Sequence, residues 1–217
     1  MTRPALVVVR LGRVAYADAL ALQHDLVRRR AAGTIRDHLL LLEHDAVLTI
    51  GRGGDDGGAR TTGVPVVEIE RGGEATWHGP GQLVGYPILA LDPARRDLHR
   101  YLRDLEEVLI RAVAEFGVAA TRNPPHTGVW VGARKIASLG VAVKRWVTFH
   151  GFALNVDCEL AAFRGFHPCG LDPAVMTSLA NELRAAPDRD AVDERVTERF
   201  AEVFERDVVR SSAIERD

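Results

Sequence analysis

Arg71-Gly72-Gly73-Glu74-Ala75-Thr76-Trp77-His78-Gly79-Pro80-Gly81-Gln82 separates two apolar, strand-like runs, Val64-Pro65-Val66-Val67-Glu68-Ile69 before it and Leu83-Val84-Gly85-Tyr86-Pro87-Ile88-Leu89 after it. Its glycines permit positive φ angles and let another body approach the backbone closely. The stretch therefore reads as a loop between two sheet elements, from which Arg71, Thr76, His78 and Gln82 hang polar groups. Two glycine clusters flanking an aromatic residue and a histidine read as a substrate wall. A plain structural connection with an incidental histidine is the alternative for any lone glycine-rich turn.

Upstream, Ala5 to Leu11 predicts a strand and Tyr16 to Ala32 a helix ended by Gly33, with Leu20, Gln23, His24 and Val27 along one side. Arg28-Arg29-Arg30 is the solvated end of that helix, where cations suit the dipole. His38 to Glu43 and Ala46 to Ile50 are apolar runs of strand length. Gly51-Arg52-Gly53-Gly54-Asp55-Asp56-Gly57-Gly58 lacks the Lys-Ser/Thr ending of a P-loop and leads into no obvious amphipathic helix. It is expected to be a mobile loop at the pocket rim, and nothing positions Asp55 and Asp56 as an acid and a base.

Downstream, Leu98, Leu102, Leu105, Leu109, Ala112 and Phe116 recur at helical spacing and predict a helix over Asp97 to Phe116, closed by Gly117. Gly132-Ala133 reads as a hairpin turn, after which Lys135 shares a strand face with Ala137, Leu139, Val141 and Val143. Trp146 to Asp157 is a further strand, Phe163 to Leu171 a loop, and Val192, Val196, Phe200, Val203 and Phe204 mark a final helix. The tail after about Asp207 is polar and expected to fray.

The 217 residues suit a single domain spanning 1–217. With 47% hydrophobic and 27% charged residues and a net charge of -2, the composition is that of an ordinary globular chain with no general attraction to nucleic acid or membrane. No apolar run is long enough for a signal peptide or a bilayer span, which makes the cytoplasm the expected compartment. Monomer is the default expectation for its oligomeric state.

Metal-binding helices, nucleophile elbows and dinucleotide fingerprints are all missing from the sequence. What remains is a thiol, a lysine and the glycine-histidine stretch. Cys169, between Pro168 and Gly170, is the better nucleophile candidate, because Cys158 directly follows a predicted strand and is expected to pack. The Gly170 N–H is a candidate oxyanion donor. A cation near the thiol favours thiolate, and Lys135 is a candidate for it; a desolvated lysine can equally lose its proton and act as a base. An inert buried cysteine beside a snorkelling lysine is the bland alternative.

Together and in this order, these residues resemble the lipoyl(octanoyl) transferases. The resemblance is carried by Arg71-Gly72-Gly73 followed by Thr76-x-His78-Gly79-Pro80-Gly81-Gln82, then by Gly132-x-x-Lys135-Ile136-Ala137-Ser138-Leu139-Gly140. His150-Gly151-x-Ala153-Leu154-Asn155-Val156 and Pro168-Cys169-Gly170 complete it, over roughly Leu40 to Leu171. It implies an α+β fold of the biotin/lipoate ligase type, a mixed β-sheet with packed helices. Cys169 is then the acyl-thioester nucleophile and Lys135 the group that lowers its pKa. Substrate would be lined by Arg71, Gly72, Gly73, Glu74, Ala75, Thr76, Trp77 and His78, by Ser138, Leu139 and Gly140, and by Gly151, Phe152 and Ala153. The implied donor is octanoyl-acyl carrier protein; the implied acceptors are lipoyl domains of 2-oxoacid dehydrogenase E2 subunits and the glycine cleavage H protein. Neither metal nor cofactor is implied. The competing readings are an ATP-dependent lipoate or biotin ligase of the same fold and a non-catalytic binder of acyl carrier protein.

Overall fold

The structure is a computed structural model that describes residues 3–54, 56–124 and 126–214, with Arg95 described by its backbone alone. Asp55 thus lies outside the described residues. In chain order the elements begin with β1 (Ala5–Arg13), α1 (Tyr16–Ala32), β2 (Asp37–Glu43), β3 (Val47–Ile50), β4 (Val66–Glu68), β5 (Ala75–His78) and β6 (Gln82–Ile88). They continue with α2 (Leu98–Ala114), β7 (Thr121–Asn123), β8 (His126–Val131), β9 (Arg134–Lys144), β10 (Val147–Asn155), α3 (Leu179–Leu183), α4 (Arg189–Val203) and β11 (Asp207–Ser211).

Eight strands form a mixed sheet in the order β11-β1-β2-β6-β10-β9-β8-β7, and β4-β3-β5 form a small second sheet. Both faces of the large sheet are covered, and the residue alternation shows it. Leu6, Val8, Leu39 and Leu41 pack with α2 and α4, whereas Val7, Val9, Leu40 and Leu42 pack with α1. Leu39 to Leu42 are each at most 2% exposed; at ~2 kcal/mol for each buried leucine, this run belongs in the centre of a sheet covered on both sides.

The predicted helix ends are met by hydrogen-bonded caps. Gly33, at φ 77°, donates its N–H to Arg29 O and Arg30 O, and Asp97 accepts the Arg100 N–H at the start of α2. Three expectations are corrected. The stretch Arg71–Gln82 is not all loop, since β5 pairs antiparallel with β3, Thr49 opposite Thr76. The tail does not fray after Asp207, because β11 runs parallel to β1 with Leu6 opposite Val208. Nor is the Gly51 segment a free rim: Arg52 N donates to Arg71 O and Gly53 N to Gly73 O, each at 2.9 Å. A Cβ at Gly51 would lie 2.3 Å from Gly73 O, so only glycine allows this approach of two backbones.

Candidate active site

β5 is four residues long and alternates between two interiors. Ala75 and Trp77 face the small core around Phe163, with the Trp77 and Phe163 rings 5.3 Å apart. Thr76 and His78 face the α1 side of the large sheet, where with Tyr16, Arg71, Tyr86 and Cys169 they line a narrow slot. The floor of the slot is the β9–β10 ladder, in which Ser138 lies opposite Ala153 and Gly140 opposite Gly151.

Arg71 is buried in the slot wall. Its guanidinium donates to Thr49 O at 2.9 Å, Thr49 Oγ1 at 3.0 Å and Gly72 O at 3.0 Å, and its Nε has no hydrogen-bond partner among the described residues. Burial lowers its pKa, while the charge of Cys169 acts in the opposite direction. An arginine nonetheless stays protonated, so a fixed cation borders the same slot as the thiol.

Beneath the slot lies a polar relay whose direction is set by backbone carbonyls, which only accept. Asn155 donates to Thr177 O at 2.9 Å, so its oxygen receives Gln82 Nε2 at 3.0 Å, and the Gln82 oxygen then receives His78 Nδ1–H at 2.8 Å. By the same logic His44 Nδ1 donates to Val14 O at 2.7 Å, leaving Nε2 to accept from Tyr86 OH at 2.7 Å. Burial drives His78 down to about 3 and His150 to about 4, and lowers His44 as well.

These depressed values set the sign of a pH effect. Between about pH 6.5 and pH 4 the unfolded chain binds protons at these positions that the folded chain refuses, so stability falls as pH falls through that window. The thermal midpoint is expected to drop by about 5 °C or more from pH 7 to pH 5. Calorimetry at the two values checks this, and a flat midpoint contradicts neutral burial of the histidines.

Cys169 sits in the turn Pro168–Gly170 at φ 53° and ψ 39°, a left-handed conformation uncommon outside glycine and often found where side-chain direction matters to function. Its Sγ lies 3.8 Å from Ala75 O. The Gly51–Gly58 segment also braces this turn, since His167 N donates to Gly57 O at 2.8 Å. The Gly170 N–H is not the open donor expected from sequence, because it donates to His167 O at 3.2 Å. Cys158 is packed in the small core, and burial pushes its thiol up to about 12.

Lys135 is 3% exposed. Its backbone O accepts from Thr177 N at 2.9 Å, and its ammonium stands 5.7 Å from the Trp130 ring centre. Gly128, at φ 145°, leaves it room, since a Cβ there would lie 2.6 Å from Lys135 Cε. Gly128 is in turn held by Glu106, a fully buried carboxylate on α2 that accepts its N–H at 2.9 Å and pairs with Arg103 at 2.7 Å. Lys135 and Cys169 both line a wider groove of about 480 Å³, together with Gly72, Gly73 and Glu74 and with residues of α2 and β8.

Cys169 therefore stands where slot and groove meet. Of the residues expected at the substrate, Arg71, Thr76, His78, Gly151, Phe152 and Ala153 border the slot alone, as does Ser138. Gly72, Gly73 and Glu74 border only the groove, and Leu139 and Gly140 border both. The side chains of Ala75 and Trp77 turn away into the small core. Sequence reasoning left out Tyr16, Tyr86 and His150 in the slot and Arg52, His99 and His126 in the groove. His150 alone carried a signal, standing directly before Gly151 in a quoted motif. Among the described residues no group of three or more His, Cys, Asp or Glu is arranged to hold a metal ion, and no helix is long and apolar enough to cross a membrane.

Residues 15–201 match the model of the lipoyl protein ligase A/B catalytic domain. A protein of Geobacter metallireducens named octanoyltransferase is 56% identical over 170 residues, covering 78% of this chain and 80% of its own length. A second octanoyltransferase, from Solibacter usitatus, is 46% identical over 211 residues, covering 94% of this chain and 95% of its own. The solved structure of a lipoate-protein ligase A bound with ATP superposes with a TM-score of 0.75 at 14% identity, over 99% of this chain and 90% of that one, and so shares the fold.

Proposed function

This chain belongs to the lipoyl protein ligase A/B catalytic domain family, and from that premise we propose that it is an octanoyltransferase that works through a thioester on Cys169. Its donor is octanoyl-acyl carrier protein, and its acceptor is the lysine of a lipoyl domain, on E2 subunits or the H protein, in the cytoplasm. The observation that carries this reading is the position of Cys169 at the junction of slot and groove, with two buried cationic side chains, Lys135 and Arg71, bordering those two spaces. A ligase that activates a free acid has no use for a thiol there.

The slot suits an unbranched acyl chain and the groove suits the donor's thioester arm, followed by the incoming lysine. The slot offers only about 30 Å³, so its walls have to move apart to admit the chain. Cys169, with its proton resting on Lys135, attacks the donor carbonyl as thiolate. The tetrahedral oxyanion forms beside the Arg71 cation, then collapses to octanoyl-Cys169 while the donor's departing thiolate takes the proton from Lys135. In the second half, neutral Lys135 accepts the proton of the attacking amine, and Cys169 leaves as thiolate. Both residues return to their starting protonation.

The test is intact-mass spectrometry of the protein after incubation with octanoyl-acyl carrier protein, with neither ATP nor metal added. One added octanoyl group, discharged by a lipoyl domain, is the expected result. No adduct, with octanoate reaching the lipoyl domain only when ATP is supplied, would identify a ligase instead.

A further inference from the structure

His150 is a strained residue in a buried strand. Its φ is 55° inside β10, where every residue is buried, and its N–H is captured by Gln23 Oε1 of α1 at 2.7 Å. The ring is 2% exposed and borders the slot, and its Nε2 has no hydrogen-bond partner among the described residues. Glu70 Oε2 stands 3.7 Å away, beyond hydrogen-bond reach. The other oxygen of Glu70 is 2.6 Å from His24 Nε2. Glu70 and His24 are 40% and 48% exposed at their side chains, so the pair leads from the buried His150 ring to the surface.

His24 also borders a second pocket of about 270 Å³, together with Val27, Arg28, Ala31, Lys144 and Arg145. The rung Val141–His150 is three residues along β9 from the rung Ser138–Ala153, or ~10 Å at strand rise. That is the reach of a medium-length acyl chain.

Resting on the octanoyl reading above, we propose that Glu70, His24 and His150 form a polar latch that ends the acyl slot and sets the chain length the enzyme accepts. A chain that stops short of His150 leaves Glu70 hydrated and the latch intact. A longer chain drives methylenes against Nε2 and a carboxylate, desolvating polar groups without replacing their partners. With the latch open, the same methylenes pass His24 and reach Val27 and Ala31, and each that finds apolar cover favours the longer chain about fourfold.

The experiment compares acyl-enzyme formation from dodecanoyl- and octanoyl-acyl carrier protein in the wild type, Glu70→Ala and His24→Ala, with thermal midpoints measured for all three. His150 itself is left alone because its left-handed φ makes any substitution there a folding risk. The dodecanoyl-to-octanoyl rate ratio is expected to rise at least about tenfold in Glu70→Ala, and to rise in His24→Ala too, whose exposed side chain can be removed even where Glu70→Ala does not fold. A ratio within about twofold of wild type in the folded variants overturns the latch and leaves the octanoyl reading standing. Absence of any wild-type acyl-enzyme overturns both.

Discussion

Cys169→Ala is expected to form no octanoyl-enzyme and to lose transfer to the lipoyl domain by at least about 10⁴-fold in kcat, the scale on which covalent catalysis fails without its nucleophile. The substitution keeps a Cβ at φ 53°, so it adds no backbone strain that cysteine did not already bear, and the thermal midpoint should barely move. The control is Cys158→Ala. That thiol lies in the small core with Trp77 and Phe163 and is pushed up to about 12 by burial, so removing it should cost a little packing and leave transfer intact. Intact-mass spectrometry and a lipoyl-domain modification assay read both variants together. Near-normal transfer by Cys169→Ala would end the covalent reading. Loss in Cys158→Ala with retention in Cys169→Ala would move the nucleophile to the buried thiol, against its electrostatics.

The residues legible in the sequence were those whose signal is local. Gly132-Ala133 announced the hairpin between β8 and β9, and the leucine stripe announced α2, because turn chemistry and helical periodicity need only neighbours in the chain. Cys169 and Lys135 stood out by residue type. β5 did not, because Ala75-Thr76-Trp77-His78 divides its side chains between two different interiors, and each interior is completed by residues far away, Phe163 on one side and Tyr16 on the other. β11 carries only two valines among polar residues, and its evidence is the distant pairing with β1. The Gly51 segment makes its contacts through backbone atoms, which leave no side-chain pattern to read. His150 and Glu70 meet only because β10 and the start of the Arg71 loop converge on α1.

The second large effect concerns Lys135 and follows from the presence of two cations. Read from sequence, Lys135 alone was the candidate to stabilise the thiolate. In the fold Arg71 lines the slot that Cys169 opens onto, and an arginine holds its proton throughout. The two are therefore not equivalent: either can favour the thiolate, but only the lysine can take a proton from the acceptor amine and give it up again. Lys135→Met, which fits the same apolar strand face without charge, is expected to form octanoyl-enzyme slowly but measurably, because Arg71 remains. Its discharge to the lipoyl domain should fall by about 10²–10⁴-fold, the usual worth of a positioned general base, so octanoyl-enzyme accumulates. Lys135→Arg should raise formation above that of Lys135→Met without restoring discharge, since it returns the charge but not the exchangeable proton. A two-step intact-mass time course, donor first and lipoyl domain second, separates the half-reactions. If Lys135→Met instead abolishes formation while preformed octanoyl-enzyme discharges normally, Lys135 serves the thiolate alone, and the base for the acceptor amine has to be sought elsewhere in the groove, where His99 and His126 stand.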